Sequence, residues 1–287
     1  VQGTTVVTWT YDDGNGNTTT QTQNIVITDV TAPVADLATL ADVTAECEVT
    51  TLTDPTATDN CGGVVTVTND ATLPISAQGT TVVIWTYTDA NGNSSTQTQN
   101  VVITDVTAPV ADLATLADIT DECSVTSLTA PTATDNCGGV VTVTNNASLP
   151  ITTQGTTVVT WTYDDGNGNT STQVQLVIID DVTSPVADVA TLADVTAACE
   201  VTTLTAPTAT DNCGGLVTVT NNVTLPISIQ GTTVVTWTYT DVNGNVSTQT
   251  QNIIITDVTA PVADLATLAD VTDECSVTTL TAPTATD

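Results

Sequence analysis

The chain has 287 residues, 32 Asp and Glu side chains, and no Lys, Arg, His, Met or Phe, for a formal charge of -32. Such a surface repels nucleic acid and anionic lipid, and a compact acidic chain resists its own repulsion only with cations nearby, so metal ions are the first expected partner and nucleic acid is excluded. Without imidazole, ammonium or guanidinium groups, most general-base, Schiff-base and oxyanion chemistry is out of reach. Only carboxylate pairs of the glycosidase type remain. Here the acids recur in every repeat, and an active site is rarely stamped out four times, so no enzyme is expected.

Hydrophobic residues make up 40% of the chain, which is too many for a disordered acidic segment. No apolar run approaches the roughly 20 residues that span a bilayer, so this segment is not expected to insert in a membrane.

The chain repeats with a constant period. Trp9, Trp85, Trp161 and Trp237 are spaced by 76, as are Asp29, Asp105, Asp181 and Asp257 in the "DVTAP" or "DVTSP" segments. Repeats of this kind signal a tandem array. The divisions fall at 1–30 (the closing part of a module), 31–106, 107–182 and 183–258 (three full modules) and 259–287 (an opening part). We read the sequence as a window on a longer array.

Within the first full module, "ADLATLADV" (35–43) suits an irregular lead-in or a strand better than a helix. Further on, "GVVTVTN" (63–69), "GTTVVIWTYTD" (79–89) and "QTQNVVITDV" (97–106) alternate with the two-residue period of pleated strands. Val83, Trp85 and Tyr87 point one way; Val82, Ile84 and Thr86 point the other. Short β-branched runs between Gly, Pro, Asn and Asp turns predict an all-β, antiparallel sandwich of immunoglobulin-like type in each module. A module of this length can build only a small core, and staples are expected. Cysteines lie 14 apart in each module, and this spacing predicts the disulfides Cys47–Cys61, Cys123–Cys137 and Cys199–Cys213. Each would be worth about 3 kcal/mol by loop closure, and together they point to an oxidising, extracellular setting, secreted or on a cell surface. Two Cys per module without His make a poor zinc site.

"TDANGN" (88–93) lies between two strands. Asn-Gly is a strong hairpin signal through its tolerance of positive φ, but that does not account for the repeated Asp before it and Asn after it. These hard oxygens suit calcium or magnesium and not zinc, copper or iron. The spacing is not that of an EF-hand, because counting from Asp89 the Gly is fourth and the twelfth residue is Asn100. The candidate calcium ligands are Asp13, Asn15 and Asn17; Asp89, Asn91 and Asn93; Asp165, Asn167 and Asn169; Asp241, Asn243 and Asn245; and the linker acids Asp29, Asp105, Asp181 and Asp257. Acid columns present in all three full modules add Asp36, Asp112 and Asp188, and Asp59, Asp135 and Asp211; the Asp42 column persists as well. In an immunoglobulin-like module the turn before the last strand lies at the end where the chain enters. Asp89 is therefore expected to face Asp29, and Asp165 to face Asp105, so that calcium would stiffen the joints.

The ordered blocks "APTATDNCGGVVTVTN", "LPI", "QGTTVVTWTYTD" with "NGN", and "DVTAP" resemble the hyalin repeat over the whole chain. The closing part is also similar to calcium-bridged immunoglobulin-like repeats of bacterial adhesins. The resemblance implies tandem immunoglobulin-like modules of extracellular or cell-surface proteins. Many hyalin repeats carry a second cysteine pair, near the module start and after the Asn-Gly turn. Both members are absent here, which the resemblance implies leaves the Cys47/Cys61 type as the remaining bridge.

Sequons at Asn17, Asn93, Asn146, Asn169, Asn222 and Asn245 offer glycan acceptors. The expected role is the structural repeat region of an extracellular fibre, filament or adhesin stalk, self-associating into fibres or bundles. The alternative is a multivalent cell-surface module that recognises a glycan or protein receptor, with avidity accumulating along the array.

Overall fold

The computed structural model describes residues 2–287, and among them every regular element is a β-strand. The opening hairpin consists of β1 (Gly3–Asp12) and β2 (Thr18–Ile27). The first full module contains β3 (Val34–Ala35), β4 (Val43–Ala45), β5 (Ala57–Thr58), β6 (Thr66–Asn69), β7 (Gly79–Thr88) and β8 (Ser94–Ile103). A four-stranded sheet has the order β4-β8-β7-β6, and β3 pairs with β5 in a separate two-stranded sheet. The pairings are antiparallel except one, since β4 runs parallel to β8 with Val43 opposite Val101 and Ala45 opposite Ile103. The all-β expectation holds, but the sheet is mixed. Parallel strands need a long crossover, and the chain from β4 to β8 supplies it. Of "ADLATLADV", only the ends are strand; residues 36–42 are irregular.

The central module repeats these elements as β9 (Val110–Ala111), β10 (Ile119–Asp121), β11 (Ala133–Thr134), β12 (Thr142–Asn145), β13 (Gly155–Asp164) and β14 (Thr170–Ile179). The third does so as β15 (Val186–Ala187), β16 (Val195–Ala197), β17 (Ala209–Thr210), β18 (Thr218–Asn221), β19 (Gly231–Thr240) and β20 (Val246–Ile255). The short strands β21 (Val262–Ala263) and β22 (Ala285–Thr286) follow.

The alternation in β7 sorts its side chains as the sequence predicts. Val83, Trp85 and Tyr87 are buried with Val101 and Ile103 of β8, together with Val49 and Ile75, while Val82 and Ile84 stay exposed. Val49 and Ile75 exchange two backbone hydrogen bonds of 2.9 and 3.0 Å, which fastens the "LPI" segment to the stretch after β4.

Burying Trp and Tyr requires partners for their polar atoms, and the "QTQ" triplet provides them. Trp85 Nε1 donates to Gln99 Oε1 (3.0 Å) and Tyr87 OH donates to Gln97 Oε1 (2.7 Å). The amide nitrogens of the same glutamines donate to Ala41 O (2.9 Å) and Leu37 O (2.8 Å). Each glutamine thus ties the aromatic anchor to the irregular segment that covers it. The third module repeats this with Gln251 and Gln249. The opening hairpin is an internal contrast: it pairs only with itself, and Trp9 is 53% exposed where Trp85 is fully buried.

The compact units do not coincide with the sequence period. One comprises Val1–Leu116, Thr129–Asn146 and Val159–Gln175, and the other Ala117–Leu128, Ala147–Val158 and Leu176–Asp287. Each unit holds one complete junction between successive modules.

Replacing Gln99 by Leu strands Trp85 Nε1 and the Ala41 carbonyl, at a cost of about 1–3 kcal/mol for a buried unsatisfied group. Thr98→Ala on the exposed face should stay within about 0.5 kcal/mol. Urea unfolding of the two variants checks the difference.

Candidate functional site at the module joints

The joint is assembled from several short pieces. In the first unit these are the segment after β4 (Glu46, Cys47), Gln78 before β7, the linker Asp105–Thr107, and two loops of the next module: Asp135–Cys137 and the turn from Asp165 to Asn169. Because β4 runs parallel to β8, its end lies beside the end of β8, where the chain leaves the module; Thr104 N donates to Ala45 O (3.0 Å). Gln78 then clasps the exit, its Oε1 accepting from Asp105 N (3.0 Å) and its Nε2 donating to Glu46 O (3.4 Å). Glu46 Oε2 reaches across to accept from Thr107 Oγ1 (3.1 Å) and Asn136 Nδ2 (3.0 Å). The second unit repeats the arrangement, with Glu122 accepting from Thr183 (2.6 Å) and Asn212 (2.7 Å), and with Gln154 in place of Gln78.

This geometry corrects the disulfide pairing. The bridges are Cys47–Cys137 and Cys123–Cys213, each 90 residues apart and each joining successive modules, with Cα–Cα distances of 4.8 and 4.9 Å. The expected Cys47–Cys61 and Cys123–Cys137 pairs do not form, nor does Cys199–Cys213. The reason is position within the module. Cys47 follows β4 at the exit end, whereas Cys61 sits with Asp59 beside the leading linker residue Asp29 at the opposite end. Two thiols that are near in sequence therefore belong to different joints. Cys61, Cys199 and Cys275 are free and exposed, and in each case the equivalent partner position on the pairing side falls outside the sequence.

The Asp-x-Asn-Gly-Asn turn is organised by its aspartate. Asp89 Oδ1 accepts from Asn91 N (2.8 Å) and Asn93 N (2.9 Å), and Asp89 Oδ2 accepts from Asn93 Nδ2 (2.8 Å). Only Gly92 has positive φ (+91°); no residue type other than glycine does so among the described residues, so the turn is not the Asn-Gly hairpin with two left-handed residues. Burial pushes the Asp89 carboxyl up, but the Asn93 side chain and the Asn91 and Asn93 amides outweigh it and hold the group below its ordinary value. Asp165 and Asp241 are lowered in the same way.

The turn does face the leading linker. Asn91 Nδ2 donates to Asp29 Oδ2 (3.0 Å) and Asn93 Nδ2 to Asp29 O (3.3 Å); Asn167 and Asn169 do the same to Asp105, and Asn243 and Asn245 to Asp181. Through their side-chain nitrogens the asparagines act as donors that brace the linker and turn carboxylates. Asn15 and Asn17 donate to Asp13 in the same manner within the exposed opening hairpin, Asn15 through its backbone and Asn17 also through its side chain.

The second set of acids divides. For Asp36, Asp112 and Asp188 each Oδ1 accepts from a threonine on the partner strand of the small sheet: Thr58, Thr134 and Thr210, all at 2.7 Å. Asp42 likewise accepts from Asn100. Asp59, Asp135 and Asp211 join the cluster. One ligand atom from each of Asp181, Asp211 and Asp241 lies within 4.8 Å of the others, and all three residues are buried. Asp105 and Asp135 converge with Cys137, and Asp29 and Asp59 with Cys61. Asp59, Asp135 and Asp211 are each 6% exposed. One oxygen of each accepts from the backbone amide two residues on, while Oδ1 is buried without any hydrogen-bond partner among the described residues. Asp257 remains exposed.

Glu46, Glu122 and the Gln78 column are functional residues that the sequence reading missed. The glutamate column is broken by Ala198, so a search for acids shared by every module passes over it. Among the sequons, Asn17, Asn93, Asn169 and Asn245 use the amide nitrogen that a glycan would occupy. Asn146 and Asn222 are exposed, with their side-chain oxygens accepting from Thr160 and Thr236.

Mass spectrometry of an unreduced digest made with a glutamate- or aspartate-specific protease should recover peptides linking Cys47 to Cys137 and Cys123 to Cys213. A peptide linking Cys47 to Cys61 would contradict the pairing.

A family model described as "HYR-like domain with 4 cysteines" matches residues 31–103, 105–179 and 183–255. The chain is 36% identical to Hyalin of Lytechinus variegatus over 292 residues, covering 90% of this chain and 54% of that protein. It is 33% identical to Hyalin of Strongylocentrotus purpuratus over 320 residues, covering 99% and 26%. The chain thus spans between about a quarter and about half the length of these relatives. Among solved structures, Protocadherin Gamma B2 extracellular cadherin domains 1-5 is similar with 15% identity and a TM-score of 0.31, covering 92% of this chain and 68% of that one. Drosophila N-cadherin EC1-4 shows 10% identity and a TM-score of 0.30, covering 88% and 84%. With two cysteines per module in place of four, and with those two bridging between modules, the chain belongs to the HYR-like domain family.

Proposed function

We propose that the chain is a structural stretch of an extracellular fibre or adhesin stalk, in which calcium held by the joint aspartates fixes each module to the next. The observation that carries this reading is the buried, unpartnered Oδ1 of Asp211, on a residue that converges with Asp181 and Asp241. Buried carboxylates repel one another and are costly unless paired. In a chain with no Lys, Arg or His, no side chain supplies the opposing charge. Hard, anionic oxygens converging from three loops suit calcium. Asp211, Asp181 and Asp241 would hold the ion in the second unit, Asp135, Asp105 and Asp165 in the first, and Asp59, Asp29 and Asp89 at the leading joint. Bound there, the ion supplies charge neutralisation and a bond between linker and loops. The chain's own contribution is to aim the carboxylates through the asparagine and backbone donors. Intermodular disulfides fit an oxidising, extracellular compartment, and a repeated joint gives self-association a regular surface to use.

Extracellular calcium modules commonly bind near 10⁻⁴ to 10⁻³ M, so 10 mM calcium should add about 1.4–2.7 kcal/mol per site. Thermal unfolding should therefore shift upward with calcium and downward with chelator. Asp211→Asn keeps an oxygen for the Cys213 amide but removes the unpaired charge. It should lose the calcium increment at its joint and be more stable than the parent in chelator. A calcium response unchanged by this substitution would reject the site.

A further inference from the structure

We infer that the intermodular disulfides create a covalent load-bearing strand that leaves most of the sandwich core of a module bridged on both sides outside the line of force. The argument is one of connectivity. Cys137, the acceptor of the bridge from the preceding module, and Cys123, the donor of the bridge to the following one, lie close together in the sequence of a single module. Tension applied to the two ends follows the shortest covalent route: along the chain to Cys47, across to Cys137, back to Cys123, across to Cys213, and onward to Asp287.

Two closed stretches are bypassed. Residues 48–122 contain the fully buried core of the first module, Val49, Ile75, Val83, Trp85, Tyr87, Val101 and Ile103, while β3, β4 and the partly buried Ala35, Leu40, Val43 and Ala45 that pack against it lie on the loaded route. Residues 138–212 contain β12, β13 and β14, with Trp161 and Tyr163, whereas the buried Val125 and β11 lie on the loaded stretch between Cys123 and Cys137. The loaded route comprises 46 residue steps to Cys47, 14 from Cys137 to Cys123 and 74 from Cys213 to Asp287, so 134 of the chain's 286 steps. An interior module contributes only the short stretch between its two cysteines as extensible chain, in place of its whole length. The pairing within a module would have done the opposite, hiding that short stretch and loading the rest. In the sequence as given, β18, β19 and β20 follow Cys213 and lie on the route from Cys213 to Asp287.

A further function follows for the array: it resists elongation by covalent bonds while its sandwiches are held by weaker ones, so the strands between the bridging cysteines carry no end-to-end load. This inference does not depend on calcium.

The test is single-molecule stretching of the full chain held by its two ends. At about 3.5 Å per residue, the oxidised chain should reach a limiting contour length of about 47 nm. After reduction with dithiothreitol, or in the Cys47→Ser/Cys123→Ser double variant, it should reach about 100 nm on the same scale. The limit is the same whether or not a variant folds well, because it is read on the fully extended chain. An oxidised limit of about 85 nm would mean pairing within modules, and one of about 100 nm would mean no bridges; either overturns the inference. The oxidised limit should also be identical in calcium and in chelator. Calcium at the joints would change the force at which structure yields and not the final length, so failure of the calcium reading is separately visible.

Discussion

The organising constraint of this chain is that every negative charge must be accommodated without a single cationic side chain. Ordinary proteins settle a buried carboxylate with Arg or Lys. Here the partners are backbone amides, asparagine and glutamine amides and threonine hydroxyls, and at the joints we propose an ion as well. The small sheet shows how far the neutral donors reach: hydroxyls of Thr56 and Thr58 hold Asp36 below its ordinary value, and no further charge is needed. At the joint the same resources fall short, because Asp181, Asp211 and Asp241 converge and one Asp211 oxygen is left over. The difference between a satisfied surface acid and an unsatisfied buried one separates scaffolding aspartates from candidate ligands.

The joint also explains why structural units and sequence repeats differ. The module is a unit of the sequence, but the residues that depend most on one another straddle its border. Glu46 of one module serves Thr107 of the linker and Asn136 of the next module, and the disulfide next to it spans the same border. A bridge across the border closes a longer loop than one within the module and restricts the unfolded chain more, by about 4.6 against about 3 kcal/mol in the entropic account. Placing the bridge there therefore stabilises the module and its attachment together.

Much of this was legible in the sequence. Alternation in "TVVIWTYT" identified the core face of β7 because pleating leaves no other choice, and the constant period located the linkers. The approach of the Asp89 turn to Asp29 followed from immunoglobulin-like topology. Three things were not legible, each for a physical reason. Cysteine spacing along the chain says nothing about which end of a sandwich each thiol occupies; only the parallel β4–β8 pairing decides that. The hydrogen bonds that Asp36 and Asp42 accept from threonine and asparagine would repeat as faithfully as a ligand, so persistence alone does not tell the two apart. An asparagine in a turn carries both an oxygen and a nitrogen, and nothing in the sequence says that its nitrogen meets the Asp29 and Asp89 carboxylates.

The central claim is that three aspartate clusters per chain each need a cation. The direct measurement is the number of calcium ions bound at equilibrium, by calorimetric titration of the calcium-free oxidised chain. The account predicts three ions for the parent and none at comparable affinity when Asp59, Asp135 and Asp211 are all replaced by Asn. If the triple variant binds as many ions as the parent, the buried carboxylates are not ligands and the joints are held by hydrogen bonds and disulfides alone.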